Sequence, residues 1–300
     1  LTVLERGPAR VRVRVSRPLG RASTITQEFE LTAGSRRLDV RTSVDWREEH
    51  RMLRVMFPVR AHASHAAFQT QFGRIERPTH TNTHKERAAF EVPVQRWMDL
   101  SQPDRGLTVL NQSQFGCCVD ENVLGLTLLR SSRYPDATAD IGVHEFTYAM
   151  MPHGPRERGL WTPDAEAQRL CRPVIVRGGT GTVGRGAKGR PASTGGAEGV
   201  SVSSEHDGGE IEVSAIKPRE SGGAGIVVRV VETGGRSQRV RVRVPGARGL
   251  RVVDLLERPI GAVLGPDAER RVAGPEMVLE LRPFEVASVL AEIGGRTGRY

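Results

Sequence analysis

The chain has 300 residues, a formal net charge of +9, 34 Gly and 18 Pro, but only 8 Phe, 3 Trp and 3 Tyr. This length allows one large or two ordinary domains with a real core, and the Gly and Pro content favours short elements over long helices. No apolar run approaches the roughly 20 residues of a membrane-spanning helix, and no signal-peptide pattern opens the chain, so we expect no membrane partner.

The first residues, LTVLERGPARVRVRV, resemble the middle of a strand, as in a fragment or processed piece. Arg alternates with Val in residues 10–15 and again in residues 239–243. Such alternation is typical of an antiparallel strand with one buried face and one wet face. The positive charge would also suit a nucleic-acid surface, but no aromatic residues interleave with the arginines to stack bases. We therefore expect solvated sheet faces and no nucleic-acid partner.

Alternation with period two continues through residues 38–46, 124–128, 211–213 and 279–281. Strand-like segments recur roughly every 8 to 12 residues, a spacing typical of β-sandwiches. The best helical candidate is PDAEAQRL at 163–170, where Thr162 can cap the helix and acidic residues lie near its positive end. The sequence therefore predicts an all-β fold with little helix.

A clear break in composition occurs at residues 178–199. This segment is rich in Gly and holds a single large apolar residue, so it cannot offset the entropy of ordering. We expect a flexible linker or a long surface loop there. The expected domains are then 1–177 and 200–294, followed by a tail at 295–300.

Cysteine and histidine usage argues against disulfides and metal in this chain. The three cysteines are too few for a disulfide framework, and the adjacent pair Cys117 and Cys118 would face opposite sides of a strand. We therefore expect reduced thiols and a cytoplasmic location. Zinc needs three or four converging ligands. The spacing of the nearest candidates instead predicts ordinary hydrogen-bonded or exposed side chains for His62, His65, His80 and His84.

Several segments between Phe72 and His153 carry more polar and aromatic detail than a strand needs in order to fold. They read FGRIERPTHTNT, FEVPVQRWMDLS, VLNQSQFG, LTLLRSSRYPDATAD and HEFTYAMMPH, and SAIKPRE, VVRVVET, DLLERPIG and LRPFEVASV follow them. In this order they resemble the C-terminal half of the family 38 glycoside hydrolases, the zinc-dependent retaining α-mannosidases. The similarity is greatest to the branch that trims free and cytosolic mannosides.

This resemblance implies a mutarotase-like β-supersandwich followed by a smaller C-terminal β-sandwich. It also implies that the nucleophile, the acid and the zinc belong to an upstream domain, so this chain would hold no catalytic residue, bind no cofactor and be inactive alone. Asp136, Asp140 and Glu145 lie close together in sequence, as the paired carboxylates of a retaining glycosidase require. However, PDATAD is equally typical of an Asx turn.

Arg130 ends the strand LGLTLLR with the same parity as Leu124, Leu126 and Leu128, so it is expected on their side of the sheet, at its rim. A guanidinium there can hold sugar hydroxyls in a fixed fork. The resemblance, through LTLLR, implies that an arginine at this point reaches the sugar cleft. A structural ion pair with a nearby aspartate is the alternative.

A second polar loop contains Arg77, His80 and Asn82, and Pro78 restricts Arg77 to an extended backbone. Such a rigid loop suits a cleft wall or a domain interface. The residues expected to contact substrate are Arg130, Arg77, His80, Asn82 and Asp140. His144 and His153 are expected in the core or at an interface.

By resemblance, the chain is the non-catalytic half of an α-mannosidase that cleaves terminal α-mannosides with retention. It would form scaffold and cleft wall for an upstream catalytic domain acting on mannose-containing glycans. The alternative is a free-standing carbohydrate-binding or interaction module, although the usual row of exposed aromatic residues is weak here. A nucleic-acid binder would differ from both in its strongly salt-dependent affinity.

The Gly-rich segment should be the first part of the chain that a protease cleaves. Limited trypsin digestion should cut first at Arg185, Lys188 or Arg190, because this stretch has only one large apolar side chain with which to pack. Mass spectrometry of the early digest should find two stable pieces. Early cleavage inside residues 1–177 or 200–294, with the Gly-rich segment intact, would refute the division into two domains.

Overall fold

The computed structural model describes residues 1–154, 162–172, 199–205, 210–260 and 270–293. Two compact units make up the chain, Leu1–Arg172 and Pro173–Tyr300. Almost every element is a β-strand, which confirms the predicted all-β class. The expected linker, apart from Gly199, and the expected tail at 295–300 lie outside the described residues. Neither described helix is long and apolar enough to cross a bilayer.

The first unit contains a nine-stranded sheet and a four-stranded sheet, both antiparallel throughout. The strand orders are β1-β2-β3-β4-β13-β10-β9-β6-β7 and β5-β12-β11-β8. The elements in chain order are β1 (Thr2–Arg6), β2 (Arg10–Leu19), β3 (Ser23–Thr32), β4 (Leu38–Trp46), β5 (Met52–Pro58), β6 (His65–Thr70), β7 (Gly73–Pro78), α1 (His84–Ala88), β8 (Val92–Pro93), β9 (Trp97–Gln102), β10 (Arg105–Asn111), β11 (Gly116–Asp120), β12 (Val123–Arg130), β13 (Gly142–His153) and α2 (Pro163–Cys171).

The inner faces of these two sheets form the main core of the unit. Val40 and Val44 of β4 are fully buried together with Leu124 and Leu126 of β12, as their alternation predicts. Each such side chain contributes about 1.5–3 kcal/mol on burial. Across the interface, Phe57 of β5 meets Tyr148 of β13 edge-to-face, with ring centroids 6.0 Å apart. The overlap of the two sheets therefore lies over β4, β13 and their neighbours.

The Arg–Val alternation has different outcomes in the two units. In the second unit, Val240 and Val242 are buried while the intervening arginines are exposed, as predicted. In β2 the arginine face is wet, but the valine face is not buried either, and Val11 is 44% exposed. The four-stranded sheet does not reach over this edge of the nine-stranded sheet, so the expected core is absent there.

Helix α2 covers the outer face of the nine-stranded sheet. Thr162 caps it by accepting a hydrogen bond from the Ala165 backbone N–H (3.1 Å), which confirms the predicted cap. The buried Asp164 carboxylate accepts from the Trp97 indole (2.9 Å) and from the Gln69 amide (2.6 Å), which fixes the helix on the sheet. The apolar contact consists of Trp97, Leu110, Ala149, Met151, Ala167 and Leu170.

The second unit is a smaller two-sheet β-structure with its own core. Its sheets have the orders β14-β17-β20 and β15-β16-β21-β18-β19. The strands are β14 (Ser201–Ser204), β15 (Ile211–Pro218), β16 (Gly225–Glu232), β17 (Gln238–Arg243), β18 (Ala247–Val253), β19 (Arg271–Ala273), β20 (Glu276–Leu281) and β21 (Val286–Ile293). Valine and leucine dominate the buried residues, as expected for a chain with few aromatic residues.

Glu232 organises one end of this second unit. Its side chain is completely buried and accepts backbone N–H bonds from Gly234 (2.8 Å), Gly235 (2.9 Å) and Phe284 (2.9 Å), and an amide bond from Gln238 (2.9 Å). No lysine or arginine of the described residues forms an ion pair with it. Backbone amides therefore stabilise this buried carboxylate.

Glu232→Gln should lower the free energy of unfolding of the second unit by about 2–4 kcal/mol, because a donor NH2 group would face N–H donors in a buried site. Urea denaturation followed by circular dichroism measures this change. Glu280→Gln is the matched control, since Glu280 is exposed on β20. A Glu232→Gln variant within about 0.5 kcal/mol of the native chain would contradict the assigned role.

Candidate functional site

Arg130 lies at the rim of the four-stranded sheet, but not on the predicted face. The β5–β12 register shifts between Thr127 and Leu129, so a β-bulge interrupts the alternation. Leu128 and Leu129 are both buried, and Arg130 pairs with the exposed Met52. The parity expected from the leucines is therefore wrong, because the bulge places Arg130 on the outer, solvent-exposed face.

Asp140 connects the end of β12 to the start of β13. Its Oδ2 accepts the backbone N–H of Arg130 (2.8 Å), and its carbonyl oxygen accepts from Nε2 of His144 (2.8 Å). Its φ is +63°, a left-handed conformation that aspartate tolerates better than most residues. The Arg130 guanidinium forms no ion pair with Asp140 or with any other described residue. The structure thus brings Arg130 and Asp140 together through a bond from the Arg130 backbone to the Asp140 carboxylate.

Asp136 closes a local turn in the loop between these two strands. Its Oδ1 accepts from the backbone N–H of Thr138 (2.8 Å) and from the Thr138 hydroxyl (2.9 Å). The backbone bond, followed by the hydroxyl bond, lowers the pKa of Asp136. The Asx-turn interpretation of PDATAD is confirmed. Glu145, the third carboxylate of this region, is exposed on β13.

Two further residues build the same rim, although no local sequence pattern indicates such a role for either. Trp46 ends β4 and donates its indole N–H to the Ser131 hydroxyl. Glu48 is only 5% exposed and accepts the backbone N–H groups of Arg21 (2.7 Å) and Ala22 (2.9 Å) in the β2–β3 turn. These backbone bonds lower the pKa of Glu48 despite its burial.

Gly20 shows how closely this turn fits around the Glu48 carboxylate. A Cβ at Gly20 would lie 2.5 Å from Glu48 Oε1, and the Gly20 φ is +64°. Only glycine suits both the space and the backbone conformation. Because the backbone N–H of Ser131 also bonds to the Arg51 carbonyl (3.1 Å), the Arg130 rim joins the β2–β3 turn, the β4–β5 loop and the end of β12.

Arg77 projects from the edge strand β7 toward the interior of the sandwich. Its guanidinium carbon lies 4.9 Å from the centroid of the Phe68 ring, a cation–π contact. Burial lowers the pKa of Arg77, and its Nη1 atom is buried without a hydrogen-bond partner among the described residues. Arg77 is therefore partly an interior residue rather than an open surface contact.

His80 and Asn82 are both exposed in the loop after β7. The Thr79 carbonyl in this loop accepts the backbone N–H of Glu121 (2.7 Å), which attaches the loop to the β11–β12 turn. Nδ1 of His80 lies 3.4 Å from a carboxylate oxygen of Glu86. A cavity of about 480 Å³ next to the loop is lined by Ala61, His62, Ala63, Ser64, Thr79, His80, Glu121 and Asn122.

The five predicted substrate contacts do not form one cluster. The His80 loop bonds to the turn before β12, whereas Arg130 ends β12. A strand of this length spans roughly 25 Å. Arg130 and Asp140 thus lie at one end of the four-stranded sheet, and His80 and Asn82 at the other.

Several histidines have local partners. His65 lies 3.1 Å from the Ser64 hydroxyl, His84 contacts Arg87, and His153 contacts the buried Asp99 at 3.1 Å. In the described part of the chain, no group of three or more His, Cys, Asp and Glu side chains could hold a metal ion.

Comparison with known proteins relates both units to one family. The family model "Glycosyl hydrolases family 38 C-terminal domain" matches residues 1–138, and "Glycosyl hydrolases family 38 C-terminal beta sandwich domain" matches residues 210–289. Alpha-mannosidase 2C1 of Mus musculus is 48% identical over 131 residues, which are 44% of this chain and 13% of that protein. Alpha-mannosidase of Saccharomyces cerevisiae is 32% identical over 263 residues, 84% of this chain and 23% of that protein.

A similar fold occurs in a solved structure. A glycosyl hydrolase family 38 protein from Enterococcus faecalis superposes with a TM-score of 0.71 at 16% identity, over 97% of this chain and 36% of that one. The matched part of the chain spans less than a quarter of the length of the Mus musculus and Saccharomyces cerevisiae relatives.

Glu48→Gln should lower the melting temperature of the first unit by about 2–4 °C at pH 7. Both turn N–H groups bond to one carboxylate oxygen, and a neutral amide oxygen in its place would accept them more weakly than the charged carboxylate does. The folded-state pKa is lowered from 4.5, so the native carboxylate stabilises the fold above about pH 4.5 and loses this effect as the pH falls through the lowered value. The difference between variant and native protein should therefore shrink in acid.

Calorimetry between pH 3 and pH 7 tests this dependence. Glu49→Gln is the matched control, because the Glu49 side chain is 61% exposed and, within the described part of the chain, forms an ion pair only with the surface residue Arg133. A Glu48→Gln difference that stays constant over this range would exclude the carboxylate as its origin.

Proposed function

Since the chain belongs to glycoside hydrolase family 38 and carries its two C-terminal domains, we propose that it is the non-catalytic C-terminal part of an α-mannosidase. The observation that supports this most is that the two family models match in order, at 1–138 and 210–289. The enzyme in this proposal acts in the cytoplasm and hydrolyses terminal α-mannosides of glycans with retention of configuration.

In this proposal the catalytic centre belongs to an upstream domain of the same polypeptide. A retaining glycosidase uses one carboxylate as nucleophile and a second carboxylic acid to protonate the leaving oxygen. The family also implies zinc, but the described His, Cys, Asp and Glu side chains do not fit a zinc site. We therefore assign no catalytic step and no metal to this chain, whose roles are scaffold and cleft wall.

Arg130 is the residue that we propose for direct substrate contact. It ends a strand at a rim, and Asp140 fixes its backbone while its guanidinium stays unpaired among the described residues. A planar guanidinium held in this way can donate to two sugar hydroxyls. Asp140 then has a positioning role. Arg77, His80 and Asn82 are proposed for a cleft rim or domain interface, since His80 and Asn82 are exposed at the other end of the four-stranded sheet and the partly buried Arg77 directly precedes their loop.

The test requires the natural polypeptide that contains this chain. It should hydrolyse 4-nitrophenyl α-mannoside, release α-mannose first as seen by proton NMR, and contain zinc by elemental analysis. The 300-residue chain alone should show neither bound zinc nor turnover near the ordinary glycosidase range of about 1 per second or more. Turnover by the chain alone would show that it contains the active site, and a natural polypeptide without mannosidase activity would refute the proposal.

Arg130→Ala in the complete enzyme should lower kcat/KM by about 30- to 150-fold, equivalent to about 2–3 kcal/mol, the contribution of a hydrogen bond from a charged group. The melting temperature should remain nearly unchanged because the side chain is exposed. Arg133→Ala is the control, since Arg133 lies in the loop directly after Arg130 but contacts Glu49 at 3.2 Å. Equal activity of both variants would remove Arg130 from the substrate site.

A further inference from the structure

The inner face of the nine-stranded sheet loses its cover toward β1. Val3, Val13, Phe29, Val40 and Tyr148 are successive cross-strand partners from β1 to β13, so their side chains share one face. Val40 and Tyr148 are buried at 0% and 2% exposure, whereas Val3 at the edge is 40% exposed. The row passes from core to solvent without becoming polar.

The neighbouring row shows the same feature. Val11 of β2 pairs with Leu31 of β3, and these side chains are 44% and 48% exposed. We call Val3, Val11, Val13, Phe29 and Leu31 the overhang patch. A contiguous exposed apolar patch commonly marks an interaction site, whereas single exposed apolar residues are ordinary on protein surfaces.

The opposite face of the same strands carries the charged side chains expected of a solvent-exposed sheet surface. There Arg10 pairs with Glu5, Arg14 pairs with Glu28, and Arg41 approaches Glu30 at 3.4 Å. The strands are thus amphipathic, and only their charged side suits water. An uncovered sheet edge would be polar on both faces if both faced solvent permanently.

Two arginines lie on the same sheet face as the overhang patch. Arg6 is the cross-strand partner of Val11, and Arg17 is the partner of Ile25, so both lie on the apolar face of the sheet. Both are exposed, and neither forms an ion pair within the described residues. An apolar patch with an arginine rim is typical of protein–protein interfaces and favours a partner with acidic residues around its own apolar contact.

We propose that the overhang patch is the docking surface for the upstream catalytic domain of the same polypeptide, an inference that rests on the proposed function. Leu1, which is 87% exposed, directly precedes the edge strand that carries Val3. A domain joined to the chain at Leu1 would lie beside the patch. The covalent link would give that domain an effective concentration at the patch of about millimolar. The curated relatives have most of their length outside the region they share with this chain.

Cysteine labelling tests the proposal directly. Val11→Cys places a thiol in the overhang patch, and Ser16→Cys places one on the opposite, exposed face of the same strand. Burial raises the pKa of Cys117 to about 12 and also raises that of Cys118, so these native thiols should react slowly. The unsubstituted protein corrects for any remaining background.

A bulky maleimide should label both engineered thiols of the 300-residue chain at similar rates. In the complete natural enzyme, labelling of Val11→Cys should slow at least 10-fold while that of Ser16→Cys stays unchanged. Leu31→Cys provides the same readout from the neighbouring strand and decides the outcome if Val11→Cys fails to fold.

Rapid labelling of Val11→Cys in an active mannosidase would overturn the docking surface and leave the proposed function intact. A natural polypeptide without mannosidase activity would overturn both. Protection in the 300-residue chain that increases with concentration, together with a dimer in sedimentation, would identify a second copy as the occupant. Concentration-independent protection in that chain would mean that its own residues cover the patch. Either result would overturn the proposal.

Discussion

The unequal width of the two facing sheets is the constraint on which the rest of the first unit depends. Nine strands on one side can be covered by four on the other only over part of their width. Where they overlap, Val40, Leu124 and Tyr148 form a dry core. Helix α2 closes the other face of the same central strands, so β9, β10 and β13 are buried on both sides. This doubly covered centre holds the loops at either end in fixed positions.

Carboxylates that accept backbone amides connect those loops in a chain that is otherwise rich in arginine. Glu48 holds the β2–β3 turn, Asp140 joins β12 to β13, and Asp136 closes the loop between them. Glu232 has the same role in the second unit. Backbone N–H groups are suitable partners because they are already fixed in position, so each bond orders a turn without ordering a long cationic side chain. Many arginines are left for the sheet surfaces, where they pair with glutamates.

The sequence determined more of the fold than of the site. Local signals such as the Thr162 cap, the Asx turn at Asp136 and the alternation around Val40 identified the elements they belong to, because each depends on residues a few positions apart. The bulge between Thr127 and Leu129 reversed the face of Arg130, and no strong local signal announces a bulge. Glu48 was missed because its burial depends on a turn more than twenty residues earlier in the chain.

The separation of the two polar loops is likewise a property of topology. Whether residues near 80 and residues near 130 meet depends on the order β5-β12-β11-β8 and on the attachment of the first loop at Glu121. Neither is encoded within the loops themselves. The motifs that carry the family resemblance therefore describe several surfaces of one scaffold rather than a single pocket.

The exposed position of Arg130 has a consequence for how it would act in the proposed enzyme. A guanidinium in water gains little from one more hydrogen bond, because it exchanges water for a sugar hydroxyl. The same bond becomes stronger when a second surface excludes solvent and lowers the local dielectric constant. This chain fixes the Arg130 backbone through Asp140 but leaves the guanidinium in solvent. Its contribution to catalysis would thus depend on the upstream domain closing over the rim, so orientation and desolvation come from different parts of the polypeptide.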